Sequence, residues 1–288
     1  MATCDPFVLE TSDGTRLAAQ WFRPGGPGRA VVLVAGATAV PAGFYRIWAS
    51  DLADRGYEVL TFDYRGIAAS RTGSLRGFPA TMQDWGRIDL QAALDRAVAA
   101  AGDRPVLVVG HSFGGQALGL VRGADRLSGG FLVGAQLGYW GYWPSPVRYR
   151  YAALWYGVVP AVVAGFGYLP GWLGVGEDLP GGVARGWARW CRSPRYLVDH
   201  VPDAVERFGA VRAPLSVVAV SDDDYAPEPA VRALAALLPE ARVERWSPAD
   251  AGTDRIGHFG FFRPACRRLW DPAAAVLDVA VDAARRTA

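Results

Sequence analysis

Short apolar runs alternate along this chain with segments in which apolar residues recur every three or four positions. The runs are rich in valine and leucine and are followed by glycine, proline or polar residues. Such runs are typical of strands buried on both faces of a parallel sheet. The segments between them predict helices, so the pattern favours an α/β fold with a mostly parallel, doubly wound sheet. The predicted parallel strands are 30–34, 57–62, 106–109, 127–135, 214–220 and 242–246.

Two further patterns predict the elements near the start of the chain. Segments 7–10 and 16–23 flank an Asp13-Gly14 pair, which is a turn signal for an antiparallel hairpin. Farther along, apolar residues at helical spacing between 44 and 52 predict an amphipathic helix, and Ile47 belongs to its apolar face.

Three further helices are predicted, two of them from capping signals. Thr81 and Asp84 have the spacing of a capping box, so a helix is expected to begin there. Residues 116–121 are compatible with a helix that directly follows the strand 106–109. At the end of the chain, Asp271 is the predicted cap of a last helix and Pro272 its first residue.

Composition excludes several classes of protein. Of the 288 residues 51% are hydrophobic, enough for a substantial core, and the formal net charge is only +2. All basic residues are arginines without a basic stripe, which argues against nucleic-acid binding. Cys4, Cys191 and Cys266 lack metal-site spacing, so no metal or disulfide is expected. The sequence has no Walker-type loop, and no G-x-G-x-x-G motif follows the first parallel strand, so no cofactor is expected. With no apparent signal peptide, a cytoplasmic location is the default expectation.

The motif Gly110-His111-Ser112-Phe113-Gly114 follows the predicted strand 106–109 and precedes a helix-compatible segment. A serine held in a strained turn needs neighbours without side chains, and the two glycines meet that need. In this context the segment resembles the nucleophile elbow of the α/β-hydrolase superfamily. The resemblance implies that Ser112 is a nucleophile.

A serine nucleophile needs a histidine base, and the chain has three histidines. His111 adjoins the serine and is interpreted as a packing or backbone contact. His200 lies before the sheet resumes and is disfavoured as the base. His258 lies in a glycine-flanked loop between the last strand and the last helix, where ligand chemistry sits in open α/β sheets. It is therefore the predicted base.

The orienting acid is expected among Asp222, Asp223 and Asp224, which follow the strand 214–220. The chain order serine, aspartate, histidine is that of the superfamily. From the residues alone the three aspartates remain alternatives, and two of them are expected to be solvated carboxylates near a helix start. In the superfamily the acid commonly stands four residues before a proline, and matching on Pro227 implies Asp223.

An oxyanion hole is implied by the same resemblance. Its backbone N–H groups would belong to Phe113 and Ala37. Where relatives often carry His-Gly, this chain has Ala35-Gly36. The segment 63–70 is similar to the D-x-R-G-x-G-x-S loop of the superfamily, which implies a structural role for Arg65 in bracing loops.

Several segments together resemble a bacterial branch of predicted α/β-hydrolases, the serine aminopeptidase and lysophospholipase-like group. The resemblance covers the core, predicted as 1–136 and 201–288, and not the segment between. The segments that carry it are 35–38, 44–66, 110–116, 221–227 and 256–264.

The strand–helix alternation fails between residues 137 and 200, which contain six of the eleven tryptophans. We predict a helical, aromatic-rich lid over the nucleophile, where the superfamily usually carries its substrate specificity. A transmembrane segment within the uncharged stretch 151–176 is disfavoured by its prolines and glycines, and peripheral membrane contact is a less favoured alternative. Most of the rings are expected to form the core of the lid. The predicted substrate contacts are Trp140, Trp143, Trp155 and Trp187.

Together these features predict a serine hydrolase that cleaves a carboxylic ester of a hydrophobic or bulky small molecule through an acyl-enzyme. A thioesterase, lactonase, amidase or peptidase would use the same triad. A non-catalytic protein that binds a hydrophobic ligand beneath the lid is the alternative from another class. A membrane-attached protein is a third.

Overall fold

The apolar runs of the sequence become strands in the computed structural model, which describes residues 2–174 and 176–287. Eight strands form one sheet, and two short strands, β7 and β8, pair with each other elsewhere. In chain order the strands are β1 (Thr3–Glu10), β2 (Arg16–Arg23), β3 (Val31–Ala35), β4 (Glu58–Phe62), β5 (Val106–His111), β6 (Gly129–Val133), β7 (Tyr168–Leu169), β8 (Leu179–Pro180), β9 (Leu215–Val220) and β10 (Ala241–Trp246).

The large sheet has the order β1-β2-β4-β3-β5-β6-β9-β10. β1 and β2 form the predicted hairpin, β2 is antiparallel to β4, and every other pair is parallel. The fold class is thereby confirmed as an α/β fold with a mostly parallel sheet. Because β5 lies between β3 and β6, its carboxyl end, and the Ser112 that follows, stand at the centre of one sheet edge.

Helices cover both faces of this sheet. Side chains of β3 alternate between two buried clusters, with Val32 on the face covered by α1 and α11 and Leu33 on the other face. The α-helices are α1 (Arg46–Asp54), α2 (Met82–Asp84), α3 (Gln91–Ala101), α4 (Phe113–Gln116), α5 (Val147–Ala153), α6 (Val159–Phe166), α7 (Gly181–Cys191), α8 (Ala204–Gly209), α9 (Glu228–Ala235), α10 (Pro248–Ala251) and α11 (Trp270–Thr287).

The predicted helices differ from the observed ones in detail. The capping box is present: the Asp84 amide donates to the Thr81 hydroxyl (3.2 Å) and the Thr81 amide donates to the Asp84 carboxylate (2.8 Å). Ile47 is 46% exposed, so its assignment to the apolar face of α1 is wrong. α11 begins one residue before Asp271, which therefore lies within the first turn and is not the cap.

The helix after Ser112 is also shorter than predicted. α4 ends at Gln116, and a 3-10 turn, Ala117–Gly119, replaces the expected helix over 116–121. Residues 113–119 contain three glycines, which have low helix propensity. One of them, Gly119, packs so closely against Phe208 of α8 that an added Cβ would lie 2.3 Å from its ring.

Residues 137–200 lie between β6 and α8. A π-helical turn, Leu154–Val158, joins α5 to α6, and the β7–β8 hairpin leads to α7. The expectation that these rings form a core of their own is wrong, because Trp155 and Trp190 belong to the same buried cluster as one face of the sheet. The division into core and lid domains stays a prediction. No helix in residues 2–174 or 176–287 has both the length and the hydrophobicity of a membrane span.

Candidate active site

Ser112 occupies a sharp turn between β5 and α4. Its backbone has φ 52° and ψ −114°, a combination that costs a non-glycine residue energy. Gly114 permits this turn, since a Cβ there would lie 1.9 Å from the carbonyl oxygen of Ala35 in β3. At Gly110 a Cβ would lie 2.7 Å from the Leu132 side chain. The structure thus supports the steric reason given for the glycines of the motif.

The predicted base and acid form a buried pair. Nδ1 of His258 lies 2.7 Å from Oδ2 of Asp223, and both side chains are almost fully buried. Oδ1 of Asp223 accepts hydrogen bonds from the backbone amides of Tyr225 (2.8 Å) and Ala226 (3.0 Å). A carboxylate accepts, so Nδ1 carries the proton of a neutral His258 and Nε2 is left with its lone pair. This is the tautomer that a general base requires.

Ser112 and His258 line one cavity. Within the described part of the chain, the hydroxyl of Ser112 makes no hydrogen bond to His258. Contacts of this kind commonly tighten only in the complex with substrate. The structure therefore brings base and acid into contact and places the serine beside them, and the complete triad stays a prediction.

The three consecutive aspartates have different surroundings. Asp224 is exposed, as expected for a solvated carboxylate, and its carbonyl oxygen accepts from the indole N–H of Trp143 (2.8 Å). Asp222 differs from the expectation that two of the three aspartates are solvated carboxylates. It accepts from the amides of Ile256 (3.0 Å) and Gly257 (3.1 Å), in the loop that carries the base. The side chain of Asp222 thus anchors that loop.

Sequence reasoning missed Gly134, which follows β6 beside the elbow. Gly134 has φ +60°, and a Cβ added there would lie 3.1 Å from the His258 ring and 3.2 Å from the Asp223 carboxylate. The glycine leaves the space that the acid–base pair fills. The available signal was a glycine at the carboxyl end of the strand next to the elbow strand.

The two amides predicted to hold an oxyanion differ in their hydrogen bonding. The Phe113 amide, at the start of α4, donates to no group in the described residues. The Ala37 amide donates to the hydroxyl of Tyr45 (2.8 Å). Its neighbour Thr38 also lines the cavity, and its amide makes no hydrogen bond within the described chain. The role of Ala37 stays a prediction, and Thr38 is a donor that the sequence analysis did not consider.

The cavity beside Ser112 measures about 50 Å³ and is mostly apolar. Trp143, Trp155 and Trp187 line it, whereas Trp140 is not in the lining and packs against Tyr139, with ring centroids 5.5 Å apart. The substrate contacts of all four tryptophans stay predictions, and Trp140 differs from the other three in lying outside the lining. Lining residues that the sequence analysis missed are Thr38, Gln136, Gly138, Tyr151, Gly174, Cys191, Tyr225 and Phe259.

Polar groups in the lining are few. Apart from His258, the lining has no ionisable basic or carboxylate side chain among the described residues. Burial raises the pKa of the Cys191 thiol well above its usual value, so it stays protonated and is a poor nucleophile. The Gln136 amide donates to the Tyr225 carbonyl (3.2 Å) and accepts from Gln116 (3.2 Å). The site is thus suited to an uncharged group.

Arg65 lies in a buried ion cluster away from the cavity lining. It contacts the carboxylates of Asp13 in the β1–β2 turn (2.7 Å) and Asp89 (2.8 Å), and so braces loops as predicted. Burial raises the pKa of Asp89 to about 6 although Arg65 opposes the rise. No group of three potential metal ligands occurs in the described residues.

A family model and solved structures match this chain. The model of an alpha/beta hydrolase family matches residues 31–267. No curated protein matches the sequence. A thermophilic esterase from Thermogutta terrifontis superposes with a TM-score of 0.60 at 18% identity, covering 96% of this chain and 99% of the esterase.

Two further structures give similar values. An esterase from Exiguobacterium antarcticum has a TM-score of 0.62 at 17% identity, with coverage of 94% and 98% of the two chains. The thioesterase domain of the curacin biosynthetic pathway has a TM-score of 0.58 at 16% identity, with coverage of 95% and 99%. At such low identities the likeness concerns the fold.

Proposed function

The chain belongs to the alpha/beta hydrolase family, and from that premise we propose that it is a serine hydrolase which cleaves carboxylic esters. The observation that carries the proposal is the buried His258–Asp223 pair, whose free imidazole nitrogen shares a cavity with a serine in a strained elbow. Strained backbone and a preorganised base together are characteristic of a catalytic site.

In the proposed reaction the Ser112 oxygen attacks the ester carbonyl while Nε2 of His258 takes its proton. Asp223 stabilises the imidazolium that forms. The Phe113 amide and an amide of the loop after β3 donate to the oxyanion. The Ala37 amide would first have to break its hydrogen bond to the Tyr45 hydroxyl, whereas the Thr38 amide has no such bond to break. His258 then protonates the departing alcohol, and water releases the acyl group by the same steps.

The lining of the cavity supports a substrate class. Its walls are aromatic and carry no carboxylate or guanidinium among the described residues, so they favour an uncharged, apolar acyl group. Trp155 and Trp187 are part of the lining, so their rings limit the size of the acyl group that the cavity accepts. Thioesters, lactones and amides would use the same serine, base and acid, and remain alternatives.

The test is hydrolysis of p-nitrophenyl esters by the wild type and by Ser112→Ala. We expect kcat to fall by about a thousandfold or more, because no other group in the scheme can form the acyl-enzyme. Ser128→Ala, which removes a hydroxyl before β6, is the matched control and should keep full activity. A fluorophosphonate should label the peptide that contains Ser112. Undiminished turnover by Ser112→Ala would reject the proposal.

A second candidate is a non-catalytic protein that binds an apolar ligand in the same cavity. The observation that favours it is the Ala37 amide, which is bonded to Tyr45 and is not free for an oxyanion. Such a protein would bind an uncharged, apolar fluorescent probe with equal affinity in the wild type and Ser112→Ala. It would also fail to react with the fluorophosphonate.

A further inference from the structure

His111, the residue before the nucleophile, has both ring nitrogens engaged. Its Nδ1 lies 2.9 Å from the Tyr45 hydroxyl, and its Nε2 lies 2.8 Å from the backbone carbonyl oxygen of His258. The side chain is fully buried. Neither partner is a carboxylate, so these bonds concern a neutral ring and do not form an ion pair.

The directions of these hydrogen bonds follow from the chemistry of the groups. Burial, and then the nearby His258, hold the pKa of His111 well below its usual value, so the ring is neutral with one N–H. A carbonyl oxygen can only accept, which places that proton on Nε2. Nδ1 therefore accepts, and the Tyr45 hydroxyl must be the donor to it.

The Tyr45 hydroxyl also accepts a hydrogen bond from the Ala37 amide, at 2.8 Å. One continuous path thus runs from the Ala37 N–H through Tyr45 and His111 to the carbonyl of His258. It begins in the loop after β3 and ends in the loop that carries the proposed base. The path crosses the elbow strand at the residue adjoining Ser112.

Apolar rings surround this path. The His111 ring lies 4.9 Å from the Phe262 ring and 5.7 Å from the Phe259 ring, centroid to centroid, and Phe262 also contacts the Tyr45 ring at 4.8 Å. In such surroundings a broken hydrogen bond leaves a buried polar group without water to replace its partner. The two loops are therefore held at fixed positions relative to the elbow.

We propose that His111 and Tyr45 are positioning residues, which set the loop of His258 and the loop of Ala37 relative to the Ser112 hydroxyl. The inference rests on the proposed function, since it concerns the geometry of the same reaction. A misplacement of about 1 Å in a catalytic group can cost about a hundredfold in rate. Loss of the path should therefore lower kcat more than it raises KM.

The experiment compares four variants on p-nitrophenyl acetate. His111→Leu removes both ring hydrogen bonds, and Tyr45→Phe removes only the hydroxyl. His111→Gln keeps an N–H donor and an oxygen acceptor. We expect kcat to fall about thirtyfold in His111→Leu and about tenfold in Tyr45→Phe, with KM within about threefold of wild type. His111→Gln should recover most of the loss.

His200→Leu is the matched control. Nε2 of His200 also makes a partly buried hydrogen bond, at 2.7 Å from the Ser193 hydroxyl, but the residue lies outside the cavity lining. It should keep the wild-type kcat. The melting temperature of each variant shows whether it is folded. If His111→Leu does not fold, Tyr45→Phe and His111→Gln decide the question.

Two results would overturn the inference: wild-type kcat in folded Tyr45→Phe and His111→Leu, or no recovery in His111→Gln relative to His111→Leu. The proposed function fails separately, if Ser112→Ala keeps its turnover. If Ser112→Ala is inactive while Tyr45→Phe keeps the wild-type kcat, only the positioning role is rejected.

Discussion

The carboxyl edge of the sheet and the insertion 137–200 both contribute to the cavity, but they hold their side chains differently. At the sheet edge the Asp223 carboxylate accepts from two amides and contacts His258, and the His111 ring is bonded at both nitrogens. In the insertion, Trp155 and Trp187 meet ring to ring at 4.8 Å. Directional bonds fix the sheet-edge groups, whereas the Trp155 ring is held by packing.

The Trp155 indole makes the difference plain. Its buried N–H has no hydrogen-bond partner, although the neighbouring Trp143 donates to the Asp224 carbonyl. Packing tolerates changes of size better than hydrogen-bond networks tolerate a lost partner. We therefore expect the sheet edge to carry out the proposed reaction and the insertion to select the substrate.

The largest expected effect comes from the aspartates of the sheet edge. Asp223→Asn should lower kcat by about ten thousandfold, because an amide cannot stabilise the imidazolium and favours the wrong tautomer. Asp222→Asn should lower it by roughly tenfold, since this residue acts only through the amides of the 256–257 loop. The measurement is kcat for p-nitrophenyl acetate at several pH values.

Asp224→Asn is the control of that series. Its carboxylate is exposed and contacts only the exposed Arg255, at 3.9 Å, while the bond from Trp143 goes to its backbone carbonyl. Activity should therefore stay within about twofold. Equal losses in the three variants would show that the run of aspartates acts through general stability and would remove the distinction between them.

A smaller effect is expected in the insertion, and it concerns selectivity. Trp187→Ala should raise kcat/KM for p-nitrophenyl octanoate relative to the acetate by about tenfold, because the cavity gains room. The labelling rate with a small fluorophosphonate should change little, since the sheet-edge groups are untouched. The measurement is kcat/KM over a series of acyl chain lengths.

Trp140→Ala is the matched substitution outside the lining, and its chain-length profile should equal that of the wild type. If Trp140→Ala and Trp187→Ala shift the profile alike, the lining does not select the acyl group. If neither shifts it, the acyl chain leaves the cavity by another route.

Much of the sheet edge was predictable because its chemistry is local in sequence. The elbow is defined by two glycines beside Ser112, and the close contact of Gly114 with β3 gives the physical reason. His258 follows from its place between the last strand and the last helix, whereas Asp223 was implied by the superfamily resemblance through Pro227. In the parallel sheet these ends meet at one edge, which places distant segments together.

Other features depend on packing across the chain and leave no local signal. Asp222 and Asp223 are neighbours, and only the fold decides that one contacts His258 and the other the backbone of its loop. The hydrogen bond from the Ala37 amide to the Tyr45 hydroxyl likewise depends on tertiary packing. For Trp140 and Trp187 composition indicated an aromatic lid, but the direction of each ring is set by tertiary contacts.

The smallest expected effect is a change in folding stability as the pH falls, and it involves one histidine from each region. Burial lowers the pKa of His111 well below its ordinary value of 6.5, and burial with Arg189 nearby also lowers that of the less buried His200. Below pH 6.5 the unfolded chain then binds more protons than the folded one, so folding stability falls. Replacing His111 by Gln removes its part of this loss.

Between pH 7.5 and 5.5 the wild type should lose up to about 1.4 kcal/mol more unfolding free energy than His111→Gln, as urea denaturation at the two pH values would measure. His200→Gln should show a smaller difference, because solvent reaches its ring and screens the charge.

Equal pH sensitivity in the wild type and His111→Gln would mean that the sheet-edge histidine accepts a proton in the folded state. The buried hydrogen-bond path from Ala37 to His258 would then open in acid, and the contrast between a fixed sheet edge and a packed insertion would hold only near neutral pH.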